Sequence, residues 1–220
     1  LTDPRVKKAF VARPAIKFPA NLAVARIQES GYRSESAQGV GSGAYSVVTT
    51  RDIETEKDID TIFKLPGVSG VVTLNRLLLP KSLSSDVDLR EAAAKLQADA
   101  ILIYTVATEF SDHEVIAPLT TLSLGLFPNQ RYKIHSTASA ILMDTKTGYL
   151  YGALEEGDSR SGLTIAWGSS SAIEASRKKA ERAAYDRLLA SFAPFWMRIY
   201  NRFRSGGAMS LHFRPERDES

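Results

Sequence analysis

Two spacings of apolar residues take turns along the chain, and they predict alternating strands and helices. Asn21–Gln28 sets Leu22 and Val24 against Ala23 and Ala25, the period of a short strand covered on both sides. A polar, Gly/Ser-rich loop follows over Glu29–Gly43, and the β-branched Ala44–Thr50 reads as a strand or a helix lead-in. Ile59, Ile62 and Phe63 fall at helical spacing within Glu54–Leu65, and Pro66-Gly67 stops that helix. Val68–Leu79 is β-branched and leucine-rich, a strand closed by Pro80. Ser85-x-x-Asp88 has the form of a capping box, in which hydroxyl and carboxylate each satisfy a free N–H of the first turn. The helix it opens carries Leu89, Ala92, Ala93 and Leu96 on one narrow face, small enough to lie close on a sheet. Ile101–Thr108 is continuously apolar and β-prone, so both its faces should be covered, as in a central strand. This order predicts crossover connections with helices packed on a sheet.

The second half reads differently. Glu109–Asn129 holds Pro118, Pro128 and a Leu/Thr-rich middle, an irregular apolar insert suited to a further strand or to association. Arg131–Met143 alternates, with Lys133, His135, Thr137 and Ser139 against Tyr132, Ile134, Ser136, Ala138 and Ala140. Asp144-Thr145-Lys146-Thr147-Gly148 has turn chemistry and Tyr149–Glu155 returns, which predicts a β-hairpin. Glu156–Gly168 is a polar loop. A serine among Ser169–Ser171 caps a helix that runs to about Ala193. Pro194 interrupts it, and Phe195–Phe203 resumes helical spacing. The expected organisation is an extended lead-in over 1–20, one α/β domain with a mixed sheet and packed helices over 21–193, an aromatic-basic terminal helix over 194–205 and a mobile tail over 206–220.

Composition bounds the function. With 220 residues, 44% hydrophobic and 24% charged, the chain can bury one core. No apolar run reaches the ~18 residues that mark a membrane-crossing helix. Zero Cys excludes a disulfide framework, a zinc–thiolate centre and a cysteine nucleophile. The net charge of +3 is uneven, because ten Lys/Arg face six Asp/Glu from Ser169 onward. A basic end suits nucleic acid, anionic lipid or an acidic partner, and equally a solvated helix face.

Candidate chemistry is sparse. Gly39-Val40-Gly41-Ser42-Gly43 lacks the Gly-Lys-Ser/Thr ending of a phosphate loop and the serine-centred pattern of a nucleophile elbow. His113, His135 and His212 are far apart, with no ligand partner at i+3 or i+4. Asp112-His113-Glu114 carries ligating types, but adjacent residues cannot all face one way. Glu155, Glu156 and Asp158 would need burial to split their pKa values for acid–base work. A Ser–His–acid site would have to assemble in space. The strongest feature is Phe195–Arg204, where Phe195, Trp196, Ile199, Tyr200 and Phe203 interleave with Arg198, Arg202 and Arg204. Rings and arginines at helical spacing suit a partner groove, a membrane interface or a nucleic acid, and equally a terminal helix packed on its own domain.

Four pieces carry a resemblance: the Val68–Leu79 strand, the Leu89–Ala100 helix running into Ile101-Leu-Ile-Tyr-Thr-Val, the Ala138–Tyr149 hairpin with its Asp-x-x-Thr-Gly, and the final Ala-rich helix. Together they resemble bacterial envelope lipoproteins, among them the curli secretion lipoprotein CsgG, the penicillin-binding-protein activator LpoB and the N-terminal domain of TolB. The resemblance implies a layered α/β domain in the periplasm, tethered to the outer membrane by a lipidated residue before Leu1, after removal of a signal peptide. It implies binding to other envelope proteins or assembly, possible self-association included, with no catalysis and no cofactor or metal. The Thr/Leu alternation of the Glu109–Asn129 insert is shorter than the ~9–11 residues a barrel-wall strand needs. The expected contact site is Phe195, Trp196, Ile199 and Tyr200 as apolar anchor, with Arg198 and Arg202 for an acidic partner or lipid headgroups. Replacing Trp196 and Tyr200 by Ala is then expected to weaken association and leave the secondary structure intact. The rivals are a nucleic-acid binder using the basic end and an enzyme with a spatially assembled site.

Overall fold

A computed structural model describes residues 3–114, 130–164 and 170–204. The elements are α1 (Pro4–Val11), β1 (Ala20–Gln28), β2 (Gly39–Val40), β3 (Ser42–Gly43), β4 (Ser46–Val48), α2 (Glu56–Phe63), β5 (Val68–Thr73), a 3-10 turn (Arg76–Leu78), β6 (Ser82–Leu83), α3 (Asp86–Lys95), β7 (Ala100–Glu114), β8 (Gln130–Asp144), β9 (Leu150–Thr164) and α4 (Ser170–Phe203). The fold is mixed α/β. Seven strands form one mixed sheet in the order β2-β4-β1-β7-β8-β9, with β5 also on β1, while β3 and β6 pair apart.

β1 is buried on both faces because it lies between strands and under helices. Its Leu22–Arg26 runs parallel to Ala100–Tyr104 of β7. Two strands share its other edge, β5 parallel over Ala20–Val24 and β4 antiparallel over Arg26–Gln28. β7 is central, as its continuous apolarity predicts. Its pairing with β8 runs from Ala100↔Asp144 to Glu114↔Gln130, and β8 pairs β9 from Met143↔Leu150 to Gln130↔Thr164. β1 leaves β7 at Tyr104. Residues 105–114 and their partners therefore continue as a three-stranded ribbon, about 33 Å long at ~3.3 Å per residue.

The Asp-x-x-Thr-Gly motif is the device that makes the hairpin. Asp144 is fully buried, and its Oδ1 accepts the N–H groups of Lys146 (2.9 Å) and Thr147 (3.0 Å). Gly148 has φ +72°, the left-handed conformation that glycine adopts without cost. Asp144 Oδ2 accepts from the Tyr151 hydroxyl (2.7 Å) and the Ala15 N–H (2.7 Å), which ties the N-terminal lead-in to the turn. From α3, Arg90 donates to the carbonyls of Thr145 (3.0 Å) and Lys146 (2.7 Å). Both short helices start as reciprocal caps: Asp58 accepts the Thr55 N–H (2.7 Å) and Asp88 the Ser85 N–H (2.9 Å).

One core lies between the sheet and α2 with α4, built on Leu22, Leu102, Leu142, Tyr185, Phe192 and Trp196. The other lies beneath α3, around Ala23, Ile101, Ile103, Leu89, Ala92 and Ala93. The structure departs from the sequence expectations in several places, among them the short strands β2 and β3 within the expected Glu29–Gly43 loop. The lead-in is not wholly extended, since Pro4 opens a helix at the position where its fixed φ is favourable. Residues 109–114 and 156–164 are strand rather than insert and loop; the Glu-Gly-Asp-Ser-Arg-Ser-Gly run at 156–162 has no apolar residue to show an alternation. The strand from Val68 ends at Thr73. Pro194 does not interrupt α4. A helix-interior proline costs about 3 kcal/mol, and burial of Phe192, Phe195 and Trp196 around it, roughly 1.5–3 kcal/mol for each large side chain, outweighs that cost. The remaining insert, 115–129, and the tail over 206–220 lie outside the described residues.

Candidate functional site

The end of α4 is core. Phe192, Phe195, Trp196 and Ile199 share the side of the helix that faces the sheet, and Trp196 is fully buried. Its Nε1–H donates to the Pro66 carbonyl at 2.8 Å. Phe18 stands edge-on to Trp196 and Tyr200, with ring centroids 5.6 Å and 5.0 Å apart. Gly152 has no side chain, and a Cβ there would meet the Phe195 ring at 2.8 Å. Arg198 and Arg202 are exposed and lie over the Phe195 and Phe203 rings. The expected contact site is therefore corrected: Phe195, Trp196 and Ile199 face the domain, Tyr200 is half-buried, and only Arg198 and Arg202 face water.

A second constellation links residues far apart in sequence. Arg26, the one charge in the apolar run of β1, donates through Nη1 to Asp52 (2.5 Å) and Glu54 (3.3 Å). Its Nη2 lies 3.6 Å from Glu181 on α4. Glu181 accepts from Thr108 Oγ1 (2.8 Å) and Arg177 (2.5 Å), and Arg177 also grips Glu174 at 2.8 and 2.5 Å. Burial alone would lower the Arg26 pKa, but Glu54 and Asp52 outweigh it and hold the guanidinium above its ordinary value. Burial first, then Tyr185 and Glu54, pushes the Tyr104 hydroxyl well up, and it donates to Glu54 at 2.5 Å. Next to this cluster, Arg182 forks onto Asp58 (2.5 and 2.8 Å) and reaches Asp186 (2.6 Å). The network borders a polar crevice at the C-terminal end of β1, about 630 Å³, lined by Gln28, Tyr32, Arg33, Thr108, Glu174 and Arg177. Its ion pairs fix how α4 sits on the sheet, while Arg26 Nε and Nη2, Glu181 Oε2 and the Tyr32 hydroxyl lie buried with no hydrogen-bond partner among the described residues. Among the described residues no cluster of three His, Asp or Glu is arranged to hold a metal ion.

The third candidate is the ribbon. Val106, Ile134, Ser136, Ala138 and Asp158 are buried on the face toward α4. The opposite face begins with an open apolar groove of about 350 Å³, with Ile27, Ile103, Ile141 and Ala153 in its lining. Rows across the three strands follow, the first still lining the groove: Thr105, Ser139 and Glu155; Ala107, Thr137 and Gly157; Glu109, His135 and Ser159. Ser139 donates to Glu155 at 2.9 Å, and His135 pairs through Nδ1 with Ser159 (2.8 Å) and through Nε2 with Thr137 (3.2 Å). Serine, imidazole and a carboxylate do lie on this face, where His135, Glu155 and Ser159 are exposed and Thr137 and Ser139 half-buried. The three carboxylates of β9 diverge: Glu155 stays on this face, Glu156 accepts from Ser191 (2.5 Å) and Asp158 pairs with Arg187 (2.7 Å) on the other. Sequence reasoning placed His135, Thr137 and Ser139 on one face of the hairpin and missed the groove beside them. Gly39–Gly43 lies in short strands and opens no helix, and His212 lies outside the described residues.

No protein-family model and no curated protein matches the chain. Solved structures align with it at low identity. Rare lipoprotein B from Shewanella oneidensis is 11% identical with a TM-score of 0.39, covering 81% of this chain and 98% of that one. The XCC0632 protein from Xanthomonas campestris, of the DUF330 family, is 9% identical at 0.37, covering 86% and 91%. A putative neuraminyllactose-binding hemagglutinin homolog from Helicobacter pylori is 8% identical at 0.43, covering 86% and 93%. At such scores the likeness carries no inference about function.

Proposed function

We propose that this protein is a non-enzymatic component of the bacterial envelope that works by contact with another protein through the β7–β9 ribbon. The ribbon carries the reading. Three strands run past the body of the sheet, α4 covers one face, and among the described residues β9 ends the sheet. An open strand edge offers a row of N–H and C=O groups for strand addition, and the groove at the ribbon's root offers pockets for apolar side chains. The motif resemblance supports the setting, a periplasmic protein tethered to the outer membrane. The nucleic-acid rival would use the basic end of the chain, where Arg177, Arg182 and Arg187 of α4 are engaged by carboxylates and Arg198, Arg202 and Arg204 are exposed.

Photo-crosslinking in cells tests this. A crosslinker at Ala107, Ala153 or Ser159 should give a discrete adduct, one at Glu91 on α3 should give none, and the protein should fractionate with the envelope. Equal labelling at all four positions, or none at any, overturns the ribbon as the contact element.

A further inference from the structure

We infer that α1 is a docking element for the surface of an anionic lipid bilayer. Every α1 residue whose side chain is described is exposed, including Phe10 at 77%, Val11 at 61% and Val6 at 45%. A helix of 8 residues with no buried face is far below the ~12–15 residues an isolated helix needs in water. It therefore needs a surface to lie on. Val6, Ala9 and Phe10 share a face at i, i+3 and i+4, with Lys7 on its flank and Lys8 and Val11 on the opposite side. Arg13 closes the helix by donating to the Phe10 (2.8 Å) and Ala12 (3.0 Å) carbonyls. Between Leu1 and Pro19 the chain carries Arg5, Lys7, Lys8, Arg13 and Lys17 against Asp3 alone.

That chemistry selects lipid over a protein groove. A groove that takes up a helix reads anchors out to i+7, and the residue at that place from Val6 is Arg13. A small apolar face bordered by Lys7, on a lead-in of strongly positive charge, fits a headgroup layer, where the phosphates meet the cations and the ring enters the acyl boundary. The placement agrees. The lead-in is pinned by the Ala15 N–H on Asp144 and the Ile16 N–H on the Tyr151 hydroxyl (3.2 Å). The Tyr151 ring lies 5.6 Å from Phe203, so α1 leaves the domain beside the end of α4, where Arg202 and Arg204 are exposed. The inference does not depend on the ribbon.

Vesicle co-sedimentation of the 220-residue chain tests it. Binding is expected to phosphatidylcholine vesicles containing phosphatidylglycerol, with little binding to phosphatidylcholine alone and release by salt. Phe10→Asp and the Lys7→Glu/Lys8→Glu pair should each weaken binding about tenfold or more while the thermal midpoint stays unchanged, because every described α1 side chain is exposed. No affinity for the anionic vesicles at low salt, or a Phe10→Asp variant that binds like the parent, overturns the inference. So does a dimer in light scattering that Phe10→Asp dissolves, since a second copy would then cover this face.

Discussion

The two faces of the sheet are made by the same strands and finished differently. On one, Leu22, Val24, Leu102, Val106, Ala138 and Leu142 are buried without a break. On the other, burial is complete beneath α3 and then fails, leaving Ile27 and Ile141 partly covered and Ala153 exposed. Helix length is the cause. At ~1.5 Å per residue, the 34 residues of α4 span about 51 Å and reach the ribbon, while the 10 of α3 span about 15 Å and stop at the body. Among the described residues, what remains open is the part of the sheet that α3 is too short to cover.

The sharpest way to break this comparison is to attack the covered face. Trp196→Ala removes a fully buried ring and leaves the Pro66 carbonyl without its donor. Chemical denaturation should show a loss of about 3–5 kcal/mol. A loss under about 1 kcal/mol would mean that the ring is not core and would restore the surface expected from the sequence.

Next comes the joint that holds the hairpin and the lead-in together. Asp144→Ala withdraws a buried acceptor from the N–H groups of Ala15, Lys146 and Thr147 and from the Tyr151 hydroxyl. A destabilisation of about 3 kcal/mol is expected, since charge-assisted bonds are individually worth roughly 1.5–3. Amide exchange at Ala15 should accelerate more than exchange at Leu102 in the central strand; equal acceleration would show that the joint is not local.

These two sites differ in how legible they were. Asp144-x-x-Thr-Gly, the capping boxes and the central strand rest on neighbours in sequence, so their chemistry shows in a short window. The face of α4 was legible and its occupant was not, because helical spacing of Phe195, Trp196 and Ile199 looks the same against a core and against a partner. The Arg26 network joins residues from β1 to α4, and only a lone arginine within Leu-Ala-Val-Ala-Arg-Ile hinted at a buried partner. The open groove was invisible because it depends on how far α3 reaches.

Acid should loosen the clamp between α2 and α4. Burial by itself would raise the Asp58 pKa, but the Arg182 and Thr55 hydrogen bonds prevail and hold it below the ordinary carboxylate range. A folded value below the unfolded ~3.9 means the contribution is complete above the unfolded value and is lost as pH falls through the folded one. Asp58→Asn should cost about 2 kcal/mol at neutral pH. It should also flatten the decline of stability below about pH 4. An unchanged acid slope in the variant would remove Asp58 from the clamp.

The smallest effect on stability belongs to the open face, and there it is the most informative. Ala153 is exposed, beside the groove and across from Ile141. Ala153→Lys adds a charge that water can solvate, so unfolding should shift by no more than about 0.5 kcal/mol. The ribbon crosslink at Ala107 should nevertheless disappear, because an ammonium at the groove mouth would lose its water when a partner's apolar side chain arrives. A variant that keeps its stability and its adduct would show that this face faces only solvent, and the unequal reach of α3 and α4 would then be a fact of architecture with no bearing on contact.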